Sequence, residues 1–265
     1  MKKTKNLALG MLILTLLFSI KTHAQEVPKP IYITVTTLHR NLDADIEAWK
    51  QTEQEYFDKV TSKNELIMGS EVLNHYYTAN SSEVLLVSMF KTWEDIEKAN
   101  DMTNELIKKG WPDEKARTAF FDKYNSHYGT MHSDEIYTSI AAGAKELKTT
   151  SKEPMVVYVR KSQMSLNGQG KGLKEFNEKV TLKNPFIKAY YPHRHGWGAD
   201  NRDFLEAFYY DSLSDLEKST DKQTQLINTT WPNEDERKVF MTEMDKAFTG
   251  IHGDYVYQNE PSLRK

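Results

Sequence analysis

The chain has 265 residues, 38% of them hydrophobic and 28% charged, with a net charge of −3 and no cysteine. The missing cysteines exclude disulfides, thiolate metal sites and a lipid-anchored lipoprotein. The acidic balance argues against nucleic acid or an anionic polysaccharide as a bulk partner.

Lys2, Lys3 and Lys5, the apolar run Leu7–Ile20 and the small residues of Thr22-His23-Ala24 predict a signal peptide over 1–24, cleaved before Gln25. The run is short for a membrane span. A periplasmic or secreted chain with no span after cleavage is therefore expected. Cleavage removes four lysines and no acid, leaving a net charge of about −7.

Ile31–Leu38 alternates and is β-branched, so it reads as a strand. Ile46, Trp49, Tyr56, Phe57 and Val60 recur at helical spacing. Leu66–Tyr77 and Glu83–Phe90 read as strands joined by a turn at Ala79-Asn80, and a helix follows over Trp93–Lys108. Trp111-Pro112-Asp113-Glu114 predicts a further helix start, with Pro112 in the first position. Met131–Ser139 closes the series as a strand. The same order recurs with strands near 155–162, 186–197, 203–210 and 251–258.

Sliding the chain by 120 positions lays residues 55–137 over 175–257 without a gap, at about two dozen identities. Trp111-Pro112 meets Trp231-Pro232; His75, His132, Asp134 and Tyr137 meet His195, His252, Asp254 and Tyr257. The expected organisation is a first repeat over 25–140, a linker over 141–153 and a second repeat over 154–265. Each reads strand–helix–strand–strand–helix–strand, the ferredoxin-like pattern, whose bare sheet face needs a cover. Two fused copies would cover each other. In element order and duplication the chain resembles the dimeric α/β-barrel superfamily in its tandem, pseudo-dimeric form. The fold class so implied is α+β, with two antiparallel sheets forming one barrel, either as a monomeric pseudo-dimer or as a homo-oligomer. The resemblance also implies a choice among cofactor-free monooxygenases, isomerases, lyase-like enzymes, haem enzymes and proteins of other roles.

The repeats diverge most where repeat one reads Leu73-Asn74-His75-Tyr76-Tyr77 and repeat two reads His193-Arg194-His195-Gly196-Trp197. A hairpin centred on Ala199-Asp200 would set 193 opposite 206 and, in repeat one, Leu73 opposite Leu86. A Leu–Leu pair would then have become His193–Glu206, suited to acid–base work. The alternative is a surface ion pair at the hairpin end, or a satisfied polar pair under the helices. His195 joins this catalytic candidate set. Trp197, Arg194, His75, Tyr77, His132, His252 and Asp254 are candidate ligand contacts, with Trp197 expected to stack on a small organic molecule. The His132-Asp134 and His252-Asp254 spacings also suit a structural clamp at a strand start. His75 and His132 are expected at opposite ends of one sheet, so no metal site is predicted. No cofactor is predicted from the residues, and a histidine-ligated haem is what the resemblance adds. Asn167-Gly168-Gln169-Gly170-Lys171-Gly172 lacks phosphate-loop spacing and reads as a loop, with a possible role as a lid. The open readings are a ligand-binding barrel, a cofactor-independent enzyme, a haem protein, and a packed barrel acting through its surface.

Overall fold

The computed structural model describes residues 29–148, 151–166 and 170–265. The predicted signal peptide and residues 167–169 of the glycine-rich loop lie outside them. Repeat one runs β1 (Tyr32–Arg40), α1 (Ile46–Lys59), β2 (Gly69–Tyr77), β3 (Glu83–Phe90), α2 (Trp93–Gly110), α3 (Glu114–Ser126) and β4 (Tyr128–Ser139). Repeat two runs β5 (Val156–Met164), α4 (Leu173–Lys179), β6 (Ala189–Trp197), β7 (Asp203–Tyr210), α5 (Leu213–Thr230), α6 (Glu234–Asp245) and β8 (Phe248–Asn259).

Local chemistry sets the helix ends. Asp45, Thr92, Asp113, Ser212 and Asn233 each cap a helix by accepting a backbone N–H of its first turn. Asp113 being the cap, Pro112 stands one place before it rather than in the first helical position. Trp111 stacks on Phe120 at 4.0 Å and Trp231 on Phe240 at 4.1 Å. Arg117 and Arg237 donate to the carbonyls of Trp111 and Trp231 at 3.0 and 2.8 Å. The repeated Trp-Pro motif is thus a helix–helix junction. β2 starts at Gly69 because the chain from Thr61 to Lys63 makes a 3-10 turn and Asn64 then accepts from the Leu66 N–H.

The strands close a barrel in the order β1-β3-β2-β8-β5-β7-β6-β4. Each repeat supplies four neighbours, and the seams are β2·β8 and β4·β6. Advancing four places converts each strand into its counterpart through four antiparallel steps, so counterparts run the same way. The pseudo-two-fold axis therefore lies along the barrel axis, and equivalent residues sit at the same level. Away from the bulges, odd-numbered strand residues face the interior, as Ile33, Val35, Leu73, Leu85, Val157 and Val159 do. Even-numbered ones face the helices, as Val72, Val84, Tyr190 and Tyr210 do. Among the described residues, no helix is long and apolar enough to cross a membrane.

One expectation needs correction. The end of β2 and the start of β4 lie at the same end of the sheet, because each pairs near the β1–β3 level of Leu38, His39 and Glu83. His75 and His132 are kept apart instead by facing opposite sides. Within the predicted linker, Lys145 and Tyr190 exchange backbone hydrogen bonds of 2.8 and 2.9 Å, so part of it lies along β6.

Candidate functional site

The β6–β7 register pairs His193 with Leu205 and Pro192 with Glu206. It is one residue off the expected hairpin arithmetic. In repeat one, Leu73 likewise pairs with Leu85, not Leu86. Side chains alternate across a sheet, so a slip of one residue reverses the face. His193 points into the barrel and Glu206 points under the helices. The expected His193–Glu206 pair does not form.

Two cavities take its place. The larger, about 810 Å³, lies between the sheet of repeat two and helices α4, α5 and α6. Phe176, Phe204, Phe208, Phe248, Tyr158 and Tyr190 give it aromatic walls. Its origin lies in the first helix of each repeat. In repeat one α1 has 14 residues, and its Trp49, 1% exposed, packs with Val72 and Val84 against the sheet. The Trp49 indole donates to the Tyr128 hydroxyl at 2.9 Å, which donates to Glu53 at 2.5 Å. In repeat two α4 has only seven residues. It starts at Gly172, whose φ of +100° suits glycine and whose added Cβ would strike the Phe240 ring at 2.7 Å. The stretch ahead of it contains no tryptophan.

A polar row crosses the cleft floor. Arg160 on β5 stands between Glu206 on β7 and Asp254 on β8 in the registers of the two ladders. Both acids are already engaged. Glu206 accepts from the Tyr190 hydroxyl at 2.5 Å, and Asp254 accepts from Tyr158 at 2.5 Å and from His252 at 3.1 Å. Arg160 makes no salt bridge among the described residues, and its Nε is buried without a hydrogen-bond partner. Burial pushes the Glu206 carboxyl up, against the opposing pull of the Tyr190 hydrogen bond and the Arg160 charge. Arg194 adds a second guanidinium to the cleft wall. A buried carboxyl held by a tyrosine beside an uncommitted arginine can bind an acceptor group and hold a proton.

The second cavity, about 490 Å³, is the upper barrel interior. Its walls are aliphatic, with Ile33, Val35, Leu73, Leu85, Val87 and Leu205 among them, and His193 reaches into it. Burial pulls the His193 imidazole down to about 4, against the Leu205 and Tyr191 backbone. Below the cavity the barrel is plugged. Lys161 bridges Glu135 at 2.6 Å and Asp203 at 2.9 Å, under the Tyr137 ring. Across the axis, Tyr257 donates to Glu83.

The remaining candidates are dispersed. His195 lies edge-on to Tyr137 at 6.5 Å inside the barrel, with Nε2 buried and unpartnered. His75 Nδ1 meets the Thr78 hydroxyl at 2.8 Å. Tyr77 and Trp197 are 61% and 71% exposed and line neither cavity, so Trp197 does not stack on a molecule held in either. The bulges that end the β2·β8 and β4·β6 seams turn them outward. His132–Asp134 and His252–Asp254 form exposed pairs at 3.3 and 3.1 Å. Arg160, Tyr158 and Tyr190 were not legible as a set. The available sign was the exchange of Thr36, Thr34 and Ser70 in repeat one for larger polar groups at the same levels in repeat two.

Among the described residues, no three of His, Asp and Glu converge to hold a metal ion. Among the described residues no histidine lines the cleft, so its described walls do not offer the ligand that a histidine-bound haem would use.

No family model matches the chain, and no curated protein matches it. In structure it is similar to a candidate monooxygenase from Fusobacterium nucleatum subsp. nucleatum, at 10% identity over 87% of this chain and 92% of that one, with a TM-score of 0.55. A candidate monooxygenase from Lactobacillus acidophilus aligns at 9% identity over 88% and 95%, with a TM-score of 0.54. A mutant chlorite dismutase from Candidatus Nitrospira defluvii aligns at 11% identity over 88% and 92%, with a TM-score of 0.51. The shared property is the fold, the dimeric α/β barrel built here from two repeats in one chain.

Proposed function

We propose that the chain is an exported small-molecule-binding barrel whose site is the cleft of repeat two. Its ligand is a planar, largely aromatic molecule carrying an acid or another strong acceptor. The carrying observation is Arg160, flanked by two acids in register yet bonded to neither. The half-buried guanidinium has its Nε enclosed at an aromatic wall, and a buried N–H without a partner is costly unless something completes that hydrogen bond. The cleft volume suits a drug-sized molecule, and aromatic walls with a few convergent polar groups are the usual make-up of such a site. The barrel closes within one chain, so no second copy is required for the site.

Titration of the full chain with 2-naphthoate tests this. Arg160→Leu removes a charge-assisted hydrogen bond worth about 1.5–3 kcal/mol, so the affinity falls about ten- to a hundredfold. Equal affinity in the two proteins would refute the assignment.

A second reading is a cofactor-independent enzyme using Glu206 and Tyr190 for proton transfer. The raised Glu206 carboxyl and its 2.5 Å tyrosine bond favour it. The fold neighbours described as monooxygenases are compatible with it. In that case Glu206→Gln lowers turnover of the natural substrate more than its affinity.

A further inference from the structure

We infer that the barrel interior is a second binding site, separate from the cleft, for a small uncharged molecule that is mostly hydrocarbon and carries one hydrogen-bonding oxygen, anchored on His193. The axial pseudo-symmetry sets the terms. Leu73 and His193 occupy the same level, each opposite a leucine, Leu85 and Leu205. At this level the wall therefore holds three leucines, with histidine in the fourth place. His193 is enclosed by protein yet keeps part of its ring open to the 490 Å³ space, and its Nδ1 has no hydrogen-bond partner. A polar group left so in aliphatic surroundings lowers stability, and the exchange gains nothing in packing.

Several other polar groups of the wall are committed elsewhere, while the Ser70 and Tyr137 hydroxyls are buried without partners. Tyr209 donates to Glu71 at 2.5 Å, Asn259 donates to Glu71 at 2.7 Å, and the Tyr191 hydroxyl accepts from the Leu147 N–H at 3.0 Å. Of the unpartnered groups, His193 is the one set among the leucines of the wall, and one ligand oxygen placed there completes its hydrogen bond. Around His193 the charge is low: Glu71 already holds two donors and lies 3.8 Å from Arg264, and the imidazole is held neutral; the charged residues of the lining are Lys29, Glu146, Arg264 and Lys265. The mouth lies between the 140–147 segment and Arg264-Lys265, on the opposite side of the sheet from the cleft.

The test uses 1-naphthol and naphthalene as probes on the full chain, read by calorimetry and by imidazole nitrogen resonances. The site predicts one mole of 1-naphthol per chain and a shift of the His193 ring nitrogens. His193→Leu, which restores the residue of repeat one, should weaken 1-naphthol about tenfold or more and leave naphthalene within about twofold. Thr220→Trp fills the mouth of the cleft and should abolish 2-naphthoate binding while sparing 1-naphthol. The inference is overturned if 1-naphthol does not bind, if His193→Leu binds it as tightly as the native chain, if the His193 resonances stay still, or if Thr220→Trp removes it. Failure of the native chain to bind 2-naphthoate, with 1-naphthol still bound, would count against the cleft reading and leave this one standing.

Discussion

His193→Leu also has a stability signature that follows from burial. The imidazole's ordinary value is 6.5 and the folded barrel holds it at about 4. As pH falls through 6.5 the unfolded chain takes up a proton that the folded chain refuses until about pH 4. The unfolded state then binds more protons, so stability is lost between those limits. A difference of two and a half pKa units corresponds to about 3 kcal/mol. The leucine variant lacks the group and should escape this loss. It should also recover about 1–3 kcal/mol at every pH, because the unpartnered Nδ1 is gone. Urea unfolding of both proteins from pH 8 to pH 4 gives the test. The gap between their unfolding free energies should start at the smaller figure and widen by about 1.4 kcal/mol per pH unit below 6.5. Other titrating groups are common to both proteins and cancel. A gap that stays level across the range would refute the claim that this histidine is buried neutral in an apolar barrel.

Three further outcomes are expected. Glu53, held beneath α1 by Tyr128, is pushed by burial from 4.5 up to about 7, so its contribution is present below pH 4.5 and lost as pH rises to about 7. Glu53→Gln should remove that loss, worth about 3 kcal/mol, in the same urea series. Lys161→Met strands Glu135 and Asp203 inside the barrel and should cost about 3–5 kcal/mol, seen as a lowered Tm, while Lys161→Met with Glu135→Leu and Asp203→Leu recovers most of it. Trp49→Ala should cost about 3–5 kcal/mol and open in repeat one a cleft like that of repeat two, detected as new binding of an apolar fluorescent dye.

The duplication made the architecture legible. A fixed offset with matched strand–helix order implies two ferredoxin-like units, and their bare faces imply the barrel that β2·β8 and β4·β6 close. The site was legible only in outline, since its outcome turned on one residue of register. His193 and Glu206 did mark the departures of repeat two from repeat one. Sequence arithmetic needs the hairpin loop length, and the chain here turns through Gly198, at a φ of +110°, before Asp200 accepts from the Arg202 N–H. The pairing lies one residue from the arithmetic in both hairpins, and in repeat two it separates His193 and Glu206 by the thickness of the sheet. Arg160 escaped notice for a related reason: its isolation depends on Tyr158 and Tyr190 occupying its two acids, which only the packed sheet reveals.

The two halves of the protein have diverged on both faces of the same sheet at once. On the helix side, repeat one keeps Trp49 and Tyr128 in a filled core, while repeat two shortens the helix and sets Glu206, Arg160 and Tyr190 around open space. On the barrel side, repeat one keeps Leu73 and repeat two presents His193. A loss of constraint on repeat two would be expected to leave cavities lined by whatever residues drifted in, with acids and bases pairing to limit their cost. What is found is more selective. The acids are engaged by tyrosines, and among the groups left without partners are Arg160 in the cleft and His193 in the barrel, one cationic and one neutral, each facing a cavity of ligand size. Repeat one supplies the rigid half of the wall, since Leu73, Leu85 and Val87 complete the barrel space that His193 enters. The fused arrangement therefore does what a symmetric dimer cannot: it lets one sheet specialise on both faces while the other stays packed and holds the register.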